Sequence, residues 1–340
     1  MIKPCKLNPG DTIATISPSW GCAGAPRVLW KYHLGVKRLE ELGLNVVAAP
    51  NSLKGTEYLK NNPEARAEDL MWAFENKKVN AIIANVGGND SEKLLPFLSP
   101  ASVLENPKIL CGYSDVMSIH LYCYQIGLST FYGDNLLTTV ADAGGWHPYS
   151  RHWFKKVLFD NSPVGPVPPS NEWSYDENNY VNREYQKKYH LNKGYTKIQG
   201  RGTVRGKLFG GHGGMMEYDT DSLIHISSGM FDGKILFYED IPEVCDVDYI
   251  GEFFDWLGSN GYLQILRGII IGKMRTPKSF DPYAERIREI VSGKYALPNL
   301  PIMCDLNFGH TVPITVLPYN ATAELNMDDL TFSLLESGVE

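Results

Sequence analysis

Short apolar runs alternate along this chain with longer stretches in which apolar side chains recur every third or fourth residue. The first pattern reads as buried strand, the second as one face of a helix. Asp11–Ser19 is a strand running into a turn, Val28–Leu42 a helix that stops at Gly43, and Leu44–Ala49 a second strand. Pro63–Asn76 is helical, with Ala67, Leu70, Met71 and Phe74 on one face. Asn80–Val86 is a third strand, followed by Gly87-Gly88 and a short helix over Ser91–Leu98. Ile109–Cys111 and Ser129–Gly133 are further strands. Strands alternating with helices predict βαβ units and a mostly parallel sheet, whose ligand sites lie at the strand C-terminal ends.

The pattern changes near residue 160. Asn161–Ser170 holds four prolines and reads as a linker. Asn171–Lys197 is polar and aromatic, without periodicity, and predicts a long surface excursion. Beyond Gly200, Val204–Gly210, Lys234–Glu239, Leu266–Lys273 and Pro301–Leu306 read as strands, and Val247–Leu257 and Tyr283–Val291 as helices. Pro313–Pro318 and Ala321–Asn326 read as a closing β-hairpin. The expected fold is α/β. An N-terminal, mostly parallel-sheet domain with flanking helices spans 1–160. A linker and aromatic loop cover 161–199, and a β-rich C-terminal α/β domain covers 200–340.

At 340 residues the chain is long for one core, which agrees with two domains. A net charge of -7 argues against a nucleic-acid polymer as partner. No apolar run approaches the ~20 residues that span a bilayer, and Met1–Lys6 lacks a secretory h-region. The six cysteines form no C-x-x-C pair. A cytoplasmic protein with reduced cysteines, no metal and no cofactor is the expectation.

Candidate chemistry centres on Lys108–His120. The strand breaks at Gly112, and Val116, Met117, Ile119 and Leu121 suit one side of a helix, so Ser114 sits on a strand-to-helix turn. Such a turn lifts a hydroxyl toward free N–H groups at a helix N-terminus, the logic of a nucleophile elbow. The competing reading is a Ser/Asp helix cap. A serine nucleophile needs a base, and the base an orienting carboxylate. His310 follows a strand and Gly309, while Glu239 and Asp240 end an apolar strand. Strand alternation allows only one of these two carboxylates to face His310. Gly87-Gly88 suits a backbone that donates N–H to an oxyanion beside the N–H of Asp115. A second glycine loop, Gly210–Gly214, surrounds His212.

Taken in order, Gly10-Asp-Thr-Ile, Ser17-Pro-Ser19, Val86-Gly-Gly88, Leu94-Leu-Pro96, Gly112-Tyr-Ser-Asp115, Gly133, Gly210-Gly211, Leu236-Phe-Tyr-Glu-Asp240 and Gly309-His310 resemble the LD-carboxypeptidase family of serine peptidases. The resemblance implies a Ser114–Glu239–His310 triad, an oxyanion hole from Gly88 and Asp115, and a homodimer. One branch of the family trims murein tetrapeptides in cell-wall recycling. The other, the microcin C immunity peptidases, cleaves aminoacyl-nucleotide conjugates and carries an aromatic inter-domain loop. Asn171–Lys197 is similar to that loop, which makes the second branch the expected function. Trp173 is the first choice for stacking on a nucleobase, with Tyr175 and Tyr180 behind it. Lys273 and Arg275 are candidates for a substrate anion. His212 stands where family members often have asparagine, which bears on substrate preference. A reading from another class is a non-catalytic two-domain protein that binds a small ligand, with Ser114 as a cap.

Overall fold

The computed structural model describes residues 1–213 and 223–340. Its fold is α/β and is organised on two large sheets. The first runs, edge to edge, Leu317–Pro318, Phe131–Tyr132, Ile109–Gly112, Ala81–Ala84, Thr12–Ile16 and Asn45–Ala48. Its strands are parallel except Leu317–Pro318, which pairs antiparallel with Phe131–Tyr132. Ala81–Ala84 and Ile109–Gly112 are buried along their whole length, as strands covered on both faces must be. The helices Leu29–Glu40, Pro63–Glu75 and Met117–Ile126 supply the crossovers.

The second sheet has eight strands, in the order Gly165–Pro166, Thr331–Leu334, Thr322–Asn326, Thr203–His212, Lys234–Glu239, Gly268–Gly272, Ile302–Leu306 and Thr196–Gln199. Its four strands from Thr203–His212 to Ile302–Leu306 run parallel, and the flanking ones antiparallel. Thr203–His212 is longer than its apolar run predicts, and the extension brings His212 into register with Glu239. Val247–Ser259 and Asp281–Arg288 cross between parallel strands. Asp246 caps the first of these helices by accepting the Tyr249 N–H at 2.9 Å.

The expected terminal hairpin is corrected. Pro313–Pro318 does not pair with Ala321–Asn326. Leu317–Pro318 joins the first sheet, and the hairpin forms between Thr322–Asn326 and Thr331–Leu334. Gly165–Pro166, inside the proline-rich stretch, is an edge strand of the second sheet. Proline lacks an N–H, so an edge position is the place a sheet tolerates it. The first sheet thus recruits Leu317–Pro318 from the far end of the chain. Ile109–Gly112 of the first sheet ends just before Ser114, while Lys234–Glu239 and Ile302–Leu306 of the second end at Glu239 and just before His310.

Candidate active site

The buried strand Ile109–Gly112 leads through Ser114, at φ 65°, into the short turn Ser114–Val116 and the helix Met117–Ile126. A left-handed backbone costs a residue bearing a Cβ roughly 1–2 kcal/mol. No side chain caps either helix start. The helix-cap reading of Ser114 is therefore corrected: its Oγ lies 2.9 Å from His310 Nε2. His310 Nδ1 lies 2.8 Å from Glu239 Oε2. A carboxylate can only accept, so Nδ1 carries the hydrogen and Nε2 is left to accept from the serine hydroxyl. Beneath the elbow, buried His120 bonds Thr130 Oγ1 at 2.8 Å and the Gly112 carbonyl at 2.9 Å. Burial pulls that imidazole down to about 4, so it is neutral.

Glu239 is 1% exposed. Burial alone would raise its carboxyl. The charge and hydrogen bond of His310, the charge of His212 and the hydrogen bond from Tyr132 outweigh burial and bring it down to about 2. Asp240 is turned away from His310. Its Oδ1 lies 3.4 Å from His212 Nε2 and accepts the Ile241 N–H at 2.8 Å. The ring of His212 stands edge-on to His310 at 5.4 Å.

The glycine loop is pressed against the elbow. A Cβ on Gly87 would stand 2.9 Å from Ser114 Cβ and 3.3 Å from the Asp115 nitrogen, so a larger residue would push the loop off the serine. Ser19 Oγ accepts the Asn89 N–H at 3.0 Å and donates to Asp90 Oδ1 at 3.1 Å. Arg66, fully buried, pairs with Asp90 at 2.7 Å. Burial would raise Asp90, but Arg66 holds it below the usual carboxylate range. Asp115 caps the neighbouring turn of helix rather than its own: its Oδ2 accepts the N–H groups of Asp90 and Ser91 at 3.0 Å. Its own N–H lies in the first turn after the elbow, where backbone donors lack intrahelical acceptors.

A cavity of about 160 Å³ opens over Ser114 and His310. Trp20, Gly88, Tyr113, Asn178 and Tyr180 line it. Asn178 and Tyr180 come from the aromatic excursion, which two buried lysines hold in place. Lys31 Nζ donates to the Asn179 carbonyl at 2.6 Å and lies 5.1 Å from the Tyr180 ring centre. Lys187 Nζ donates to the carbonyls of Asp176 and Glu177 at 3.0 and 3.2 Å. Ser174 and Val312 exchange backbone hydrogen bonds at 2.7 and 3.1 Å, which ties the excursion to the loop after His310.

Trp173, Tyr175 and Lys273 are not brought to Ser114. They line a separate groove of about 500 Å³. Lys273 pairs with Asp305 at 2.9 Å and lies 4.7 Å from the Trp173 ring centre. Arg275 pairs with Glu177 and Glu243. Tyr180 is the aromatic of the excursion that lines the Ser114 cavity, and its ring meets Trp20 edge-on at 5.2 Å. Trp20 and Tyr132 escaped the sequence reading. Trp20 had a signal in following Ser17-Pro-Ser19, whereas Tyr132 looked like any aromatic in a buried strand. All six cysteines are free, and five are buried. Among the described residues, no group of three His, Cys, Asp or Glu side chains is placed to hold a metal ion. Nor is any helix among them long and apolar enough to cross a membrane.

Residues 13–133 match the LD-carboxypeptidase N-terminal domain, and residues 205–325 the LD-carboxypeptidase C-terminal domain. The chain belongs to the LD-carboxypeptidase family. As a member it is a serine peptidase, which sets aside the non-catalytic alternative. It is 28% identical to the carboxypeptidase-like protein YocD of Bacillus subtilis, over 94% of each chain. It is 27% identical to the microcin self-immunity protein MccF of Escherichia coli, over 96% of this chain and 94% of that one. An MccF-like protein from Streptococcus pneumoniae, solved in complex with AMP, superposes with a TM-score of 0.85 at 27% identity, covering 95% of this chain and 98% of its own.

Proposed function

We propose that this LD-carboxypeptidase family member hydrolyses an amide bond with a Ser114–His310–Glu239 triad. The observation that carries the proposal is the unbroken hydrogen-bond path from Ser114 Oγ through His310 to Glu239, at 2.9 and 2.8 Å. Ser114 Oγ attacks the carbonyl carbon as His310 Nε2 takes its proton. His310 then gives that proton to the leaving amine, and water repeats the cycle to release the acid. Glu239 stays ionised, keeps the imidazole in the tautomer that accepts at Nε2, and stabilises the imidazolium. The N–H groups of Gly88 and Asp115 are the oxyanion donors. Each such donor is worth roughly 10²–10³ in rate.

For the substrate we infer an aminoacyl-nucleotide conjugate such as processed microcin C, which makes the role self-immunity or detoxification. Similarity to MccF and to a relative that binds AMP supports this reading. So does the aromatic wall of the Ser114 cavity, where Tyr180 rather than Trp173 is the stacking residue. The test offers purified enzyme two substrates side by side, aspartyl or glutamyl sulfamoyl adenosine and a murein tetrapeptide. Hydrolysis of the nucleotide conjugate, lost in Ser114→Ala, is the expected result. In Tyr180→Ala its KM should rise about fivefold or more, since stacking is worth about 1–3 kcal/mol per base. Cleavage of the tetrapeptide alone would move the protein to the murein branch.

A further inference from the structure

We propose that Tyr132 is a positioning residue of the active centre, holding Glu239 and the backbone of Ser114 in one hydrogen-bonded frame. Its phenol is buried and donates to Glu239 Oε1 at 2.5 Å. The same oxygen accepts the Ser114 N–H at 3.2 Å. Glu239 therefore has one oxygen committed to Tyr132 and the other to His310. The carboxylate cannot turn about its own axis without giving up one of them. Tyr132 and Ser114 stand on the first sheet and its following helix, whereas Glu239 and His310 belong to the second sheet and the loop after it. The phenol thus fixes the distance between the two halves of the triad.

The ring cannot swing away. Phe237 packs on it at 5.5 Å, His120 at 6.0 Å and Tyr113 at 6.4 Å, and Leu317 pairs with it in the sheet. Burial and the charge of Glu239 drive the phenol far above its ordinary value, so it stays a donor at every working pH. The bond to the Ser114 N–H has its own consequence. At φ 65° this donor points off the regular path of the strand, and the phenol oxygen satisfies it. Tyr132 thereby supports the strained elbow while sharing the charge of Glu239. An unshared carboxylate would hold the His310 proton more strongly, so loss of the phenol should move the acid limb of kcat/KM upward. The other titratable groups that face this pair are Tyr113 and His212 beside His310, and His212, Asp240 and Cys245 around Glu239.

This inference rests on the proposed triad, so Ser114→Ala is measured in parallel; an active Ser114→Ala enzyme would remove the triad itself. The test is Tyr132→Phe, followed on a substrate that the wild-type enzyme cleaves. The expected result is a kcat lower by about tenfold or more, since hydrogen bonds to charged groups are the strong ones. KM should stay within about twofold, and the acid limb should move up by several tenths of a pH unit. A second variant carries 3,5-difluorotyrosine at position 132. It keeps the ring and the O–H but makes the phenol a stronger donor, so it should restore kcat and move the acid limb down. A Tyr132→Phe enzyme with kcat within twofold and an unmoved acid limb would overturn the proposal. So would equal losses in both variants, which would mark a packing role. Should Tyr132→Phe fail to fold, the fluorinated enzyme decides alone, and an acid limb identical to wild type would sink the idea.

Discussion

Gly309→Ala perturbs the site without touching a reacting atom. Gly309 sits at φ 90°, and a Cβ there would stand 2.6 Å from Glu239 Oε2 and 2.7 Å from its Cγ and Cδ. Restoring an ordinary contact of about 3.5 Å between carbons requires roughly 0.8 Å of movement. Glu239 is buried and held at both oxygens, so the movement falls on the loop that carries His310 or on the carboxylate itself. Either way the 2.8 Å bond between Glu239 and His310 is stretched past hydrogen-bonding range. Losing a hydrogen bond to a charged group costs about 1.5–3 kcal/mol, and the left-handed alanine adds about 1–2 kcal/mol. A total loss of about 2.5–5 kcal/mol should appear in urea unfolding. A misplacement of this size should also cost kcat about 10²-fold. Stability within about 1 kcal/mol of wild type, together with kcat within about threefold, would refute the claim that Gly309 is required by the close approach of Glu239.

Other outcomes follow from the same geometry. Ser114→Gly and Ser114→Ala should both be inactive, but only glycine relieves the positive φ, so it should unfold at higher urea than alanine, by about 1 kcal/mol; equal midpoints would contradict a strained elbow. Glu239, held at about 2 against an ordinary 4.5, contributes stability that is fully present above pH 4.5 and lost as pH falls through 2. The stability gap between wild type and Glu239→Gln should therefore narrow as pH falls below 4.5, as urea midpoints across that range would reveal. Burial pushes Asp134 the other way, from 3.8 up to about 7, so its ionisation penalty grows as pH rises between those values. Asp134→Asn should accordingly gain on wild type at pH 8 relative to pH 4; a gain independent of pH would exclude the mechanism. Arg66→Ala leaves Asp90 without its buried partner and should cost about 3–5 kcal/mol and loosen the glycine loop; a neutral result would show that the pair does not hold it.

Local pattern carried much of the fold because burial and periodicity act over a few neighbouring residues. The predicted helix Pro63–Asn76 is found at Pro63–Glu75, and Lys234–Glu239 is found as read. Hydrogen-bond partners of short strands are a different matter. Leu317–Pro318 is a few residues of apolar chain that could pair with several edges. It joins Phe131–Tyr132 because the first sheet has an open edge there, which no local pattern records.

The candidate site divides the same way. Ser114, Glu239 and His310 were legible because each ends a strand run or follows a glycine turn, and chemistry-bearing residues at such points stand out. Sequence alone could not choose between Glu239 and Asp240. The packing of the two sheets leaves Glu239 against His310 and gives Asp240 to His212. In the aperiodic excursion, nothing in the order of residues says which aromatic faces the cleft. Lys31, Lys187 and the Ser174–Val312 exchange decide that Tyr180 does, and that Trp173 and Tyr175 line another groove. Tyr132 marks the limit most clearly. Its sequence context is an ordinary buried strand, and its bonds to Glu239 and Ser114 join residues 107 and 18 positions away. The chain by itself thus determined which residues had the chemistry and the local geometry of a candidate catalytic site. The distances that join them were decided only when two separately patterned sheets packed against each other, because a hydrogen bond depends on separation in space and not along the chain.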